Sequence, residues 1–271
     1  MKIVEFGDIV TSNKERGRAI ILSIDRQQKI YDEIRIKGSI RISHLIQDLN
    51  TSESTIRRDL EELEKQGLIK RVHGGAILPQ HVSIEPSILD KSVMFSEEKD
   101  KIGKFAATLV EEHTSIIVDS GTTTACFARH LQIPNLTILT NGINIADILS
   151  SKQYNILLTG GLLKTNTQAM VGELAIETLS RFHVDICFLA INAISEDIGL
   201  STPDYQEAWV KKAMIEAAEK VILLIDSSKF GKVNLTRVAD LGNIDMVVTD
   251  EGISKEYIQW LESHDVKVYV V

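Results

Sequence analysis

Apolar positions along this chain keep a helical spacing in one stretch and alternate with turns in another. Ile30 and Ile34, with Ile36 beyond them, mark a short amphipathic helix that ends before Gly38. Leu45, Ile46 and Leu49 mark a second. Ile56, Leu60 and Leu63, at i, i+4 and i+7, mark a third that stops at Gly67, and Ser52 in the turn Asn50-Thr51-Ser52 is placed to cap it. Three short helices with a polar turn between the second and third predict a helix-turn-helix. Leu68–Leu78 then reads as two short strands around Gly74-Gly75, a wing directly after the third helix.

Beyond Pro79 and Pro86 the pattern changes. Ser96 caps a helix with Glu97 and Glu98 in its first turn and Ile102, Phe105, Ala106 and Leu109 as its inner stripe. Short β-rich apolar runs follow at Ser115–Asp119, Leu136–Thr140, Asn155–Thr159, Val184–Ala190, Val221–Ile225, Met246–Thr249 and Val266–Val271. Helical patterns lie between them at Thr124–His130, Ile143–Leu149, Glu173–Phe182, Gln206–Ala218 and Lys255–His264. Such alternation predicts an α/β domain with a mainly parallel sheet. The expected fold class is α/β, with a small winged helix-turn-helix domain (25–78) joined by a linker (79–95) to the larger domain (96–271). Residues 1–24 have no clear period and form an N-terminal extension.

Composition narrows the function classes. The chain has 271 residues and a net charge of −8, a poor start for a nucleic-acid binder. The charge is uneven, however. Residues 1–78 hold 14 Lys and Arg against 12 Asp and Glu, and residues 79–271 hold 16 against 26. The acidity therefore sits in the larger part and leaves the first part free to approach a polyanion. No apolar run approaches the roughly 18 residues of a membrane helix, and Glu5 and Asp8 interrupt the first apolar stretch, so a cytoplasmic protein without a membrane partner is expected. Cys126 and Cys187 lie inside apolar stretches and are expected to be buried, reduced thiols. No His and Cys spacing indicates a metal, and no cofactor is expected.

The third helix carries the first candidate chemistry. Ser52, Ser54, Thr55, Arg57 and Arg58 crowd its first two turns, the part of a recognition helix that reaches base edges. Taken alone, the helix also fits a solvated charged face, because Asp59, Glu61, Glu62 and Glu64 share it. The wing shifts the balance, since Lys70, Arg71 and His73 suit phosphates or a minor groove. The second candidate site lies at strand ends, where ligands bind open parallel sheets. Asp119, Ser120, Gly121, Thr122, Thr123 and Thr124 follow one strand, Asn141 another, Gly160 and Gly161 a third, and Lys229 follows Asp226-Ser227-Ser228. Hydroxyls, a helix N-terminus and one cation suit a phosphate; a simple turn and a surface lysine are the alternative. Glu207 fits a sugar contact or a solvated first turn equally. Trp209 and Trp260 are expected to pack, and Lys211-Lys212 to be an exposed basic pair.

The run Ser54-Thr55-Ile56-Arg57-Arg58-Asp59-Leu60, followed by Leu63, Gly67 and Arg71-Val72-His73-Gly74-Gly75-Ala76, resembles the winged helix-turn-helix of DeoR-type bacterial transcriptional regulators. Asp119-Ser-Gly-Thr-Thr-Thr124, Thr140-Asn141, Gly160-Gly161, Val171-Gly172 and Asp226-Ser-Ser-Lys-Phe-Gly231 resemble their effector domain, which is similar in fold to ribose-5-phosphate isomerases. The resemblance spans nearly all of 25–271. It implies a repressor of a sugar or polyol utilisation operon. Operator DNA would be held by the third helix and wing, and a phosphorylated sugar or polyol by the C-terminal domain. Paired half-sites call for a homo-oligomer, a dimer or a tetramer. The family's Gly-Ala-Asn-Gly stretch is replaced here by Ala190-Ile191-Asn192-Ala193, which adds side chains to the pocket floor. The alternative class is a sugar-phosphate enzyme. It lacks an obvious carboxylate pair after the Val184–Ala190 strand, and no Gly-x-x-x-x-Gly-Lys-Ser/Thr loop is present.

Overall fold

The computed structural model describes residues 26–34, 39–49, 51–65, 69–72, 74–77 and 87–271, and the chain divides into two compact units between His81 and Val82. The expected extension over 1–24, His73 and the first part of the expected linker lie outside the described residues.

In the first unit residues 26–34 form helix α1. It is followed by β1 (Ser39–Arg41), α2 (Ile42–Asp48), α3 (Glu53–Lys65), β2 (Lys70–Val72) and β3 (Gly75–Ile77). Ile30, Ile34, Ile42, Leu45, Ile56, Leu60 and Leu63 share one core with Ile40, Ile69 and Ala76, so the helical spacing read from the sequence is the packing face. β1 was not legible in the sequence. It pairs antiparallel with β3, which pairs with β2, giving the three-stranded order β1-β3-β2. Gly75 makes that crossing possible, since a Cβ there would lie 2.1 Å from the Ile40 carbonyl oxygen. Asp59 does not belong to the solvated charged face that was the alternative reading of this helix. It is 2% exposed and accepts from the Arg26 guanidinium at 2.5 Å, because α3 turns this position toward α1.

The second unit opens with α4 (Ile88–Val93), α5 (Ser96–Ala107), β4 (Ser115–Val118), α6 (Thr122–His130), β5 (Thr137–Thr140) and α7 (Ile143–Ser150). β6 (Asn155–Leu158), β7 (Leu162–Lys164), β8 (Ala169–Val171), α8 (Glu173–Ser180) and β9 (Val184–Ala190) follow. The chain ends with β10 (Ala193–Ser195), β11 (Gly199–Thr202), α9 (Tyr205–Glu216), β12 (Ala218–Leu224), β13 (Thr236–Ala239), β14 (Met246–Thr249), α10 (Lys255–Glu262) and β15 (Lys267–Val270). The seven apolar runs of the sequence supply β4, β5, β6, β9, β12, β14 and β15. These form one parallel sheet in the order β15-β14-β12-β9-β4-β5-β6. Both faces are covered. Ile117, Cys187, Leu189, Val221, Leu223 and Val247 face a core shared with α8, α9 and α10. Their neighbours Ile116, Val118, Phe188, Ile222, Leu224 and Val248 face the other, shared with α5, α6 and α7. A period-2 side-chain pattern with apolar residues on both faces is what produces the continuous hydrophobic runs. Both cysteines are buried and free.

In this unit one helix, one hairpin and one small sheet depart from the sequence reading. Helix α4 sits inside the expected linker. Six residues are too short to show a period, but the Ser87 hydroxyl accepts from the Asp90 N–H and caps it. The β7–β8 hairpin and the small antiparallel sheet β10-β11-β13 are three- and four-residue strands, below the length at which alternation can be recognised. Strand order reverses between β4 and β9, the first and fourth strands of the parallel sheet. Loops leaving the carboxyl ends of these two neighbours diverge to opposite faces and leave a crevice between them.

Candidate sensor pocket and nucleic-acid interface

The crevice at this reversal is a pocket. Its walls are Ser120, Gly121, Thr122 and Thr123 after β4, Ala190, Ile191 and Asn192 after β9, and Asp226 and Lys229 after β12. Residues from α4, α5 and α9 add to it, among them Ile88, Lys91, Lys99, Glu207 and Lys211. The close approach of the first two loops depends on Gly121, whose added Cβ would meet the Ala190 Cβ and the Thr124 hydroxyl at 3.0 Å each. The first N–H groups of α6 face no earlier turn of their own helix, and the helix dipole makes that end favourable to an anion.

The expected residues divide into wall and scaffold. Ser120–Thr123 and Lys229 are wall. Thr124 is fully buried and donates to the Asp119 carbonyl at 2.7 Å. Asn141 stands behind the loop, its Oδ1 accepting from the Ser120 N–H at 2.9 Å while its amide donates to the Met170 carbonyl. Gly160 and Gly161 are not part of the wall. Gly161 adopts φ +112° against the Val171 carbonyl, where a Cβ would sit 2.5 Å away, so it shapes the entry to β7.

Asp119 is completely buried. Its Oδ2 accepts from the Lys211 ammonium at 2.5 Å and from the Ala190 N–H at 3.1 Å, while its Oδ1 has no hydrogen-bond partner. Lys211 also donates to the Ala190 carbonyl at 3.0 Å. The expected exposed pair is thus split. Lys211 is 5% exposed and ties α9 to the two strands flanking the crevice, whereas Lys212 is on the surface near Glu216. Trp209 also departs from its expected packing role, being 54% exposed with its ring edge-on to Tyr205, while Trp260 packs against the core. Glu207 is buried and accepts from the Thr167 hydroxyl at 2.7 Å.

Lys99 carried no signal of its own in the sequence, because it stands among Glu97, Glu98 and Asp100 in a first turn that reads as solvated. It is 3% exposed. Its ammonium donates to the Lys91 and Met94 carbonyls, both at 2.6 Å, and so fastens the end of α4. Burial lowers its pKa to about 8; the Asp226 carboxylate opposes that shift and Lys229 adds to it. The Lys229 pKa is also lowered by burial, again opposed by Asp226, whose Oδ2 is 4.0 Å away. Lys91, Lys99 and Lys229 therefore stand on one side of the pocket, and Lys99 and Lys229 share the field of the Asp226 carboxylate.

In the first unit the hydroxyls of Ser52, Ser54 and Thr55 cluster at the start of α3, with Ser52 Oγ 2.8 Å from Thr55 Oγ1 and 3.0 Å from Ser54 Oγ. Arg57 reaches back one turn to Glu53 at 2.6 Å. Arg58 is exposed and makes no ion pair among the described residues. Arg71 of β2 donates to Glu64 on α3 from its backbone N–H at 2.8 Å and from Nε at 2.6 Å, which joins wing and helix. Lys70 lies in β2 beside it.

The DeoR-like helix-turn-helix domain matches residues 26–82, and the DeoR C terminal sensor domain matches residues 94–251. The chain belongs to the DeoR family of transcriptional regulators. The HTH-type transcriptional repressor GlcR of Bacillus subtilis is 36% identical over 248 residues, 91% of this chain and 95% of that one. The glycerol-3-phosphate regulon repressor of Escherichia coli is 33% identical over 245 residues, 90% and 97% respectively. Among solved structures, ribose 5-phosphate isomerase A of Methanocaldococcus jannaschii matches at 18% identity with a TM-score of 0.38, over 50% of this chain and 55% of that chain. The regulator is thus a DNA-binding protein with a sensor domain, and its named relatives are regulators and not enzymes. No helix among the described residues is long and apolar enough to cross a membrane.

Proposed function

We propose that the regulator represses a sugar or polyol utilisation operon and that a phosphorylated sugar or polyol, bound in the sensor pocket, sets its operator affinity. The observation that carries this reading is the convergence of Lys99, Lys229 and the hydroxyl-rich start of α6 at the one place where the sheet order reverses. A phosphate there meets backbone N–H groups, hydroxyls and ammonium charges already gathered, so little reorganisation is needed. The similarity to the glycerol-3-phosphate regulon repressor of Escherichia coli supports the same class of operon.

DNA contacts fall to Ser52, Ser54, Thr55, Arg57 and Arg58 at the start of α3, with Lys70, Arg71 and His73 of the wing on the phosphates. One helix reads few base pairs, so the working form is a dimer or tetramer on paired half-sites, acting in the cytoplasm where the chromosome lies. Ligand and DNA are coupled because the ligand favours one conformation; a coupling of about 1–3 kcal/mol changes operator affinity roughly 5–150-fold. The test is a melting-temperature screen of the full chain against inorganic phosphate and a panel of sugar and polyol phosphates. Stabilisation by at least one phosphomonoester, lost in Lys229→Met, is expected. No stabilisation by any of them contradicts the reading.

A further inference from the structure

Helix α9 has two different faces. Glu207 and Lys211 line the sensor pocket. Trp209 stands opposite them, since two residues are about 200° of helical turn. Its side is 54% exposed, as is 52% of Tyr205 one turn earlier, and the two rings meet edge-on with centroids 5.0 Å apart. Tryptophan is among the side chains that bury most area on average, so an open pair of large aromatics marks a surface that meets more than water. Beside Trp209 runs a groove lined by the buried Ile215 and Val238 and by Ala239. Its rim holds Lys212 with Glu216 and Arg237 with Asp240, each an ion pair. Val233 and Leu235, both largely exposed, lead into β13, whose Thr236 pairs with Thr202 three residues before Tyr205.

Resting on the reading that the regulator works as an oligomer, we propose that this face docks a second copy of the chain about a two-fold axis, with Trp209 and Tyr205 of each copy set into the groove of the other. Two properties fit the face to itself. A two-fold contact puts the same patch on both sides, so that patch has to hold a projection and a recess together. The aromatic pair is the projection, and the groove beside it is the recess. The charges must also cancel within the patch, because a rim of one sign repels its own copy. Here Lys212 and Arg237 stand against Glu216 and Asp240. The area is of the right order. About half of each aromatic side chain is open, out of roughly 150–250 Å². The pair thus offers about 200 Å², about a quarter of the roughly 800 Å² that each partner gives to a standard interface. The remainder falls to the groove, its rim and the Val233–Leu235 segment. A central aromatic anchor inside a polar rim is the usual anatomy of such a contact.

The test is sedimentation velocity of the full chain over a range of concentrations, for wild type, Trp209→Ala and Asp240→Arg. Trp209→Ala is expected to weaken one step of self-association, dimer to monomer or tetramer to dimer, about 30-fold or more, the loss typical of a central aromatic anchor. Asp240→Arg leaves the rim with an excess of cations on both copies and is expected to weaken the same step. Asp240 is 70% exposed and in neither core cluster of this unit, so this variant decides the matter if Trp209→Ala melts early. A second readout uses Trp260→Phe, which leaves Trp209 as the single tryptophan of the chain. In the assembled state its fluorescence is expected to be shielded from acrylamide. Wild-type self-association in the variants, or a Trp209 that acrylamide quenches freely in the assembled state, overturns the inference and leaves the oligomer to another face. A wild type that stays monomeric at every concentration, with and without operator DNA, overturns the oligomer reading and the inference together.

Discussion

Ligand affinity is expected to fall as pH rises through 8, because Lys99 is buried without a carboxylate of its own. In the ligand-free pocket its ammonium rests on two carbonyl oxygens and its pKa is about 8, against an ordinary value of 10.5. A phosphate dianion beside it favours the charged form and raises that pKa. Occupied pocket and proton are therefore linked. Below pH 8 the lysine is already charged and affinity is full; above it, binding must also take up a proton, and affinity declines until the occupied-site pKa is passed. If occupancy returns Lys99 to its ordinary value, affinity drops about 30-fold, or about 2 kcal/mol, between about pH 7 and about pH 9.5. The phosphomonoester stays largely dianionic over that window because its second pKa is about 6, so the slope reports the protein. Lys229, whose pKa burial also lowers, adds to the decline in the same direction. The assay is calorimetry of the best-bound phosphomonoester across this range, in two buffers of different ionisation enthalpy to count protons. Net uptake near pH 9 is expected in wild type, and most of the slope is expected to vanish in Lys99→Arg, whose guanidinium stays charged. An affinity that is flat across the window, with no proton uptake, refutes the placement of the anion beside Lys99.

Arg58→Ala should weaken binding to a selected operator by about 1–3 kcal/mol and relax base preference at one position, measured by anisotropy against single-base operator variants; wild-type affinity on all of them removes Arg58 from base reading. Glu64→Gln releases Arg71 from its bond to α3, so affinity for random DNA should rise and the salt slope steepen by about one contact; an unchanged slope shows that Arg71 stays away from phosphate. Asp119→Leu deprives the buried Lys211 ammonium of its carboxylate and should cost about 3–5 kcal/mol of stability. The double change with Lys211→Met should recover most of that loss in a denaturant titration; an additive double mutant means that the two do not act as a pair.

The sheet was legible because its inner strands are buried on both faces, and a strand such as Val221–Leu224 then has to be apolar at every position. The recognition helix was legible because Ile56, Leu60 and Leu63 fall on one face. The loop after β4 was legible through composition, since Ser120–Thr123 combines a glycine with hydroxyls at the start of a helix. The rest of the pocket was not. Lys99 and Lys211 are lysines in polar surroundings of sequence, and their burial is decided by which helix face meets the sheet. Asn141 and Thr124 looked like ligand donors, yet their bonds go to Ser120 and Asp119. Local sequence shows that a polar side chain sits at a strand end, but not whether it faces the crevice or braces the loop behind it. Asp59 illustrates the same limit in the first unit, where its partner Arg26 lies on a different helix.

Control of the helix-turn-helix's hold on DNA by an anion in the pocket at the β4–β9 reversal is the core of the proposed function. It is tested most directly by titrating the full chain onto operator DNA selected from a random pool, with and without the best-bound phosphomonoester, for wild type and for Lys229→Met. The ester is expected to shift wild-type operator affinity by roughly 5–150-fold, and Lys229→Met to show no shift relative to its own ester-free affinity. An equal shift in the two proteins, or none in wild type at a concentration that saturates the pocket, contradicts it.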